Sequence, residues 1–188
     1  MKKIITALVL ALFISAPLQA RELAGVTVPD QITVGDNFFL DLNGMGLREK
    51  FWIDVYVGSL YLAKPSHNVA EILSRPDPLR IQLDFVYKEV TSEKLVNGWK
   101  EGFEKNQNEE TLKKLQSRME KFYGFFADSA KKGDQYVIDY IPGQGVSVSK
   151  NGVLLGTIEG EDFKNALLEI WLGNKPADKD LKKGMLGL

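Results

Sequence analysis

The apolar residues of this chain follow two different periods, and the two occupy separate blocks of sequence. Leu79, Ile81, Leu83 and Phe85 recur at every second position, the period of a strand buried on one face. Leu112, Leu115, Met119, Phe122 and Phe126 recur three and four residues apart, the period of a helix. Between Val26 and Leu62, short apolar alternations are broken by Pro29-Asp30, Gly35-Asp36 and Asn43-Gly44, which reads as antiparallel strands joined by turns. Thr91 and Ser92 are N-cap candidates with Glu93 in the first turn, and Leu95, Trp99 and Phe103 follow at helical spacing. A second helix is expected from Asn108-Glu109-Glu110 towards Ala130. Strands return at Gln135 to Ile141, Val146 to Ser149 and Val153 to Ile158, the last two joined through Asn151-Gly152, a hairpin signal. Phe163, Leu167, Ile170 and Trp171 then mark a helix stopped by Gly173-Asn174, with Pro176 beyond. Segregated periods of this kind predict an α+β domain, a large antiparallel sheet with a helical layer on one face.

The first twenty residues stand apart from this pattern. Lys2 and Lys3, an apolar run from Ile4 to Ile14 and the small-residue ending Leu18-Gln19-Ala20 have the layout of a cleavable export signal, and the run is too short to span a bilayer. The expected organisation is a signal peptide over residues 1–20 and one domain over 21–188, in the periplasm or secreted, with no membrane span after the signal. The full chain carries 24 basic and 25 acidic residues; without Lys2 and Lys3 there are 22 against 25, a net charge of about −3. That balance supplies no basic field for nucleic acid. With no cysteine, the chain has no disulfide, thiolate metal site or thiol nucleophile.

The chemical inventory is sparse. His67 is the one histidine and sits in a Pro65-Ser66-His67-Asn68 loop before a short helix, where a surface or capping role is expected; no metal site follows from it. Glu109, Glu110, Glu159, Glu161 and Asp162 read as solvated carboxylates at helix starts. Gly143-Gln144-Gly145 lies inside a hairpin signal, and no glycine-rich loop has nucleotide-binding spacing, so no cofactor is implied. What remains is Gly44-Met45-Gly46-Leu47-Arg48, running into Phe51 to Leu62. A fixed cation beside a glycine turn leads into a strand rich in aromatic and β-branched residues, a way to present one charge at an apolar cleft. The alternative is an internal ion pair of Arg48 with a neighbour such as Asp54.

These segments also carry a resemblance. Gly44-Met45-Gly46-Leu47-Arg48, Leu60-Tyr61-Leu62, Thr91-Ser92-Glu93-Lys94 and Leu167 to Gly173 fall in the order seen in the chalcone isomerase-like superfamily, and the chain resembles its bacterial exported members most closely. The resemblance implies an open-faced β-sandwich with a cleft between sheet and helices. It also implies a choice, because the superfamily holds both isomerases and non-catalytic fatty-acid binders. Arg48 matches the cleft arginine of both branches. Tyr56 matches the tyrosine of the binders rather than the threonine of the isomerases, while Thr91 and Ile170 stand where the isomerases have a catalytic tyrosine and a threonine. Tyr87 and Asn97 lie close in sequence to other isomerase positions.

The implied site is therefore Arg48, Tyr56, Tyr87, Thr91 and Asn97, and the implied ligand a fatty acid or similar small amphipathic carboxylate. Chemistry favours the same choice: a guanidinium fork with one phenol suits a carboxylate, whereas enolate stabilisation wants several convergent donors. Two other readings stand beside it, a lyase or isomerase acting on an aromatic or unsaturated carbonyl compound, and an interaction module whose cleft is filled by its own side chains. Geometry sets the main difficulty. On one straight strand Arg48 and Tyr56 would be about 26 Å apart. A two-residue turn near Glu49-Lys50 would close that distance, yet it would leave Arg48 facing with Phe51, Ile53 and Val55, away from Tyr56.

Overall fold

The computed structural model describes residues 20–35 and 37–188; the expected export signal lies, but for Ala20, outside them. Strands β1 (Ala20–Leu23) and β2 (Val26–Pro29) pair as a small hairpin, followed by β3 (Gln31–Val34), β4 (Phe38–Lys50) and β5 (Ile53–Leu62). Helix α1 (Val69–Ser74) leads to β6 (Leu79–Phe85) and β7 (Glu89–Val90), and then to α2 (Ser92–Asn106) and α3 (Glu109–Gly124). The chain closes with β8 (Ala130–Lys131), β9 (Gln135–Ile141), β10 (Gly145–Lys150), β11 (Val153–Ile158), α4 (Glu161–Leu172) and α5 (Lys179–Met185). Seven strands form one sheet in the order β11-β10-β9-β6-β5-β4-β3, with every neighbouring pair antiparallel.

The alternation of β6 decides which face is covered. Leu79, Ile81, Leu83 and Phe85 are buried under the helices, in a core that also takes Leu95, Trp99 and Phe103 of α2, Leu115, Met119 and Phe122 of α3, and Phe163, Leu167, Ile170 and Trp171 of α4. On the opposite face, Arg80 donates two hydrogen bonds to Asp139, at 2.6 and 2.7 Å, and Asp84 accepts from Gln82 and Gln135. A smaller apolar cluster of Val28, Val34, Leu40, Leu42 and Tyr61 seals that face near the β1–β2 hairpin. This is the expected open-faced architecture, a sheet with one helical layer.

Several local signals hold to the residue. Thr91 and Asn108 cap α2 and α3 by accepting from Lys94 N and Thr111 N, and Asn68 caps α1. Asn151 and Gly152, with φ of 52° and 79°, form the β10–β11 turn. Four expectations are corrected. Helix α3 stops at Gly124, and Phe126 reaches the core from beyond its end. Asp162 is not a free solvated carboxylate, since Arg118 of α3 grips it with two hydrogen bonds at 2.7 and 2.9 Å. The β4–β5 turn is made by Phe51-Trp52 rather than Glu49-Lys50. Asn43-Gly44 is not a turn at all but lies inside β4.

The last correction explains the glycines. Helix α5 runs directly over β4, and a Cβ on Gly44 would come 2.2 Å from the carbonyl oxygen of Gly184; one on Gly46 would come 2.6 Å from that of Leu181. Gly184 is bare for the reciprocal reason, as its Cβ would meet Met45 O at 2.5 Å. Backbone touches backbone here, which only residues without side chains permit. Asn43 fastens the contact: it is buried, donates to Met185 O at 2.9 Å and accepts from Ser66 N at 2.7 Å.

Candidate functional site

A β-bulge builds the site. A continuous two-residue hairpin would set Arg48 opposite Val55, but the pairing steps from Glu49↔Asp54 to Arg48↔Tyr56, leaving Val55 as one extra residue on β5. Residues directly opposite each other point to the same side of the sheet, so the bulge brings Arg48 and Tyr56 onto one face. The expected opposition of these side chains is thereby overturned. The guanidinium carbon lies 5.5 Å from the centre of the Tyr56 ring, a cation–π contact. The bulge also positions a third residue: Val55 O accepts from both Val86 N and Tyr87 N, at 3.1 and 3.2 Å, which turns the end of β6 over the same region.

Tyr56 is fully buried, and its hydroxyl accepts from Trp171 Nε1 at 3.0 Å. Burial pushes its phenol above the ordinary range, and the nearby Arg48 charge and the Trp171 hydrogen bond offset part of that rise. The phenol is therefore a neutral wall behind the guanidinium, braced by Trp171, which in turn packs on Trp99 with ring centres 5.5 Å apart. Arg48 itself is half-buried. None of the ion pairs among the described residues includes it, Asp54 included. Its Nε is buried and has no hydrogen-bond partner among the described residues. The guanidinium as a whole is a half-buried charge without a carboxylate partner among the described residues, a condition that an anion in an adjoining space would relieve.

Arg48 opens into a cleft of about 410 Å³ between β5, the β6–β7 connection and α2. Phe51, Ile53, Val55 and Val90 give it apolar walls, Gly98 of α2 leaves its side open, and Lys50 and Lys94 stand at its rim. Glu89 and Glu101 also border it, but Glu101 is engaged by Lys105 at 2.5 Å, which lowers its pKa, with smaller contributions from Lys50 and Arg48. The volume falls within the range of small-molecule sites, about 300–1,000 Å³. A more polar recess of about 500 Å³ near Asn106 and Lys175 is different in kind, because its Lys182 donates to Gly173 O and its Glu169 accepts from Gln107.

Of the five residues expected in the site, Arg48, Tyr87 and Asn97 line the cleft. Tyr56 stands behind Arg48 without reaching the lining. Thr91 does not line it either, since its hydroxyl is committed to capping α2. Ile170 is buried and packs where the bare backbone of Gly102 admits it. Sequence reasoning missed Lys50, Lys94 and Gly98. The helical spacing of Leu95 and Trp99 held a signal for the last two, because Lys94 and Gly98 are four residues apart and share one face of α2.

The chain matches the chalcone isomerase-like family over residues 20–187. Among solved structures it is similar to the crystal structure of an Arabidopsis thaliana fatty-acid binding protein, with a TM-score of 0.67 and 19% sequence identity, over 89% of this chain and 96% of that one. No curated protein matches it in sequence.

Proposed function

The chain belongs to the chalcone isomerase-like family, and from that premise we propose that it is a non-catalytic binder of a fatty acid or similar small amphipathic carboxylate. Arg48 carries the reading: it is half-buried, lines an apolar-walled cleft and has no ion-pair partner among the described residues. A carboxylate supplies the counter-charge that Arg48 lacks, and an acyl chain covers Ile53, Val55 and Val90. The solved relative is named for fatty-acid binding, which agrees with this chemistry. Against catalysis stand the Thr91 hydroxyl spent on a helix cap, the apolar Ile170, and a Tyr56 phenol that burial keeps protonated. The proposal includes export to a bacterial periplasm, which rests on the signal-like pattern of residues 1–20.

Titration calorimetry with a series of fatty acids tests it. Arg48→Ala is expected to weaken binding by the worth of a charge-assisted hydrogen bond, about 1.5 to 3 kcal/mol, or roughly ten- to a hundredfold. Arg48→Lys is expected to recover part of the loss, keeping the charge without the planar fork. Unchanged affinity in Arg48→Ala, alongside a lower Tm, would make Arg48 a structural residue and remove the basis of the reading. Chalcone consumption above background that disappears in Arg48→Ala would replace it with an isomerase.

A further inference from the structure

The β4–β5 hairpin is closed by Phe51 and Trp52, which are 80% and 95% exposed. Both lie in the left-handed region, with φ of 53° and 61°. Bulky aromatic residues are costly there, and a two-residue hairpin ordinarily uses Asn-Gly. The chain uses that low-strain solution itself at Asn151-Gly152. At the β4–β5 tip it instead holds two large apolar side chains in a strained conformation and leaves them to solvent, so nothing inside the fold compensates the cost. The tip is also continuous with the cleft. Phe51 and Ile53 form its apolar lip, Tyr87 stands alongside at 39% exposure, and Arg48 lies further in.

We propose that the Phe51-Trp52 tip is a wedge that seats the protein on a lipid bilayer, so that an amphiphile passes along Phe51 and Ile53 into the cleft. The proposal rests on the reading of the cleft as a site for amphipathic carboxylates. Tryptophan favours the headgroup level, and phenylalanine the acyl boundary beneath it. A second copy of the chain fits less well. Two aromatic side chains offer at most about 300–500 Å², short of the roughly 800 Å² per partner of a stable interface. The charges beside the tip are Glu49, Lys50 and Asp54, with Arg48 in the cleft and Lys94, Glu89 and the Lys105–Glu101 ion pair across it, four basic groups against four acidic ones. They largely cancel, so the docking is apolar insertion that tolerates salt and does not depend on anionic lipid.

The test uses the protein starting at Arg21, without the signal-like segment, and phosphatidylcholine vesicles with and without phosphatidylglycerol. Of its three tryptophans, Trp99 and Trp171 are 3% and 0% exposed, so a bilayer-dependent emission change reports Trp52. Vesicles are expected to shift the emission to the blue, with quenching by brominated acyl chains, at about 0.05 and about 0.5 M salt alike. Trp52→Ser is expected to reduce co-sedimentation with vesicles roughly tenfold or more and to slow transfer of a labelled fatty acid out of them. Its affinity for a soluble short-chain fatty acid stays at the wild-type value. Exchanging the pair for Asn-Gly, as Phe51→Asn with Trp52→Gly, is expected to raise Tm while abolishing vesicle binding, which separates docking from folding. Emission indifferent to vesicles overturns the proposal, as does a blue shift that follows protein concentration without lipid, which would assign the tip to self-association. Trp52 insertion without any soluble-ligand binding would retain the wedge and remove the cleft reading.

Discussion

Replacing Gly46 by alanine adds one methyl group at the place where α5 lies on β4, and no side chain can move aside for it. The new Cβ would stand 2.6 Å from the carbonyl oxygen of Leu181, 2.8 Å from its Cα and 3.1 Å from its carbonyl carbon. Ordinary contact requires about 3.4 Å or more, so the backbone of α5 must retreat by a large fraction of an ångström. That movement lifts Leu181 and Met185, both fully buried, each contributing about 1.5 to 3 kcal/mol through burial. Overpacking usually costs about 1–3 kcal/mol, and a rigid backbone obstacle places this case at or above the upper end, about 2 to 4 kcal/mol. For a chain of this length the Tm should fall by roughly 5 to 12 °C.

Urea denaturation followed by circular dichroism measures the change, and Gly58→Ala is the matched comparison. Its Cβ would meet Leu181 Cδ1 at 2.9 Å, the far end of a side chain that can rotate, so a cost below about 1.5 kcal/mol is expected. If Gly46→Ala costs no more than Gly58→Ala, close backbone approach is not what the glycines of β4 provide. A functional loss should accompany the destabilisation, because Asp178, the N-cap of α5, accepts from Glu49 N at 3.3 Å beside Arg48.

Gly98→Ala should have the opposite sign on stability. This helix-interior glycine faces open space, so alanine is expected to add about 0.5–1 kcal/mol in a thermal melt while the methyl narrows the cleft and weakens fatty-acid binding in calorimetry. Asp162 should mark the acid limit. The Arg118 hydrogen bonds hold its carboxyl well below the usual carboxylate range, so its stabilising contribution is complete above about pH 4 and is lost as pH falls towards the folded value. Because the pair is more than a third exposed on the Asp162 side, that contribution is at most about 1 kcal/mol. Asp162→Asn should accordingly show a shallower loss of Tm below pH 4 than the parent.

What the sequence disclosed is what short-range physics controls. The caps at Thr91 and Asn108 and the Asn151-Gly152 turn follow from bonds between residues close in sequence, and the strands Gln135–Ile141 and Val153–Ile158, whatever their partners, are marked by a pattern read over a few residues; all lie where the sequence puts them. Helix α5 left no such trace. It is seven residues long, has Gly184 in its interior and buries Leu181 and Met185 alone, too little for an amphipathic pattern. Its existence depends on the bare strand beneath it. Gly44 and Gly46 were visible as a motif, yet a glycine pair serves a turn and a close approach equally well in one dimension, and only the partner element separates the two.

Arg48 shows how little separates a legible residue from a legible site. Its type and its apolar surroundings point to anion binding, but which way it faces is fixed by the single extra residue at Val55. A one-residue change of register moves a side chain to the other face of a sheet. Neither hydrophobic alternation nor turn chemistry encodes that extra residue, because Val55 and Tyr56 are both apolar and both buried. The bulge is stabilised from outside the hairpin, where Val55 O takes two amide donors from the end of β6 and Tyr56 is held from above by Trp171 of α4. Elements far apart in sequence thus meet at the residue that aims the cation. Bulges commonly re-aim side chains beside functional sites, and this one turns Arg48 onto the face it shares with Tyr56 while carrying Tyr87 to the same cleft.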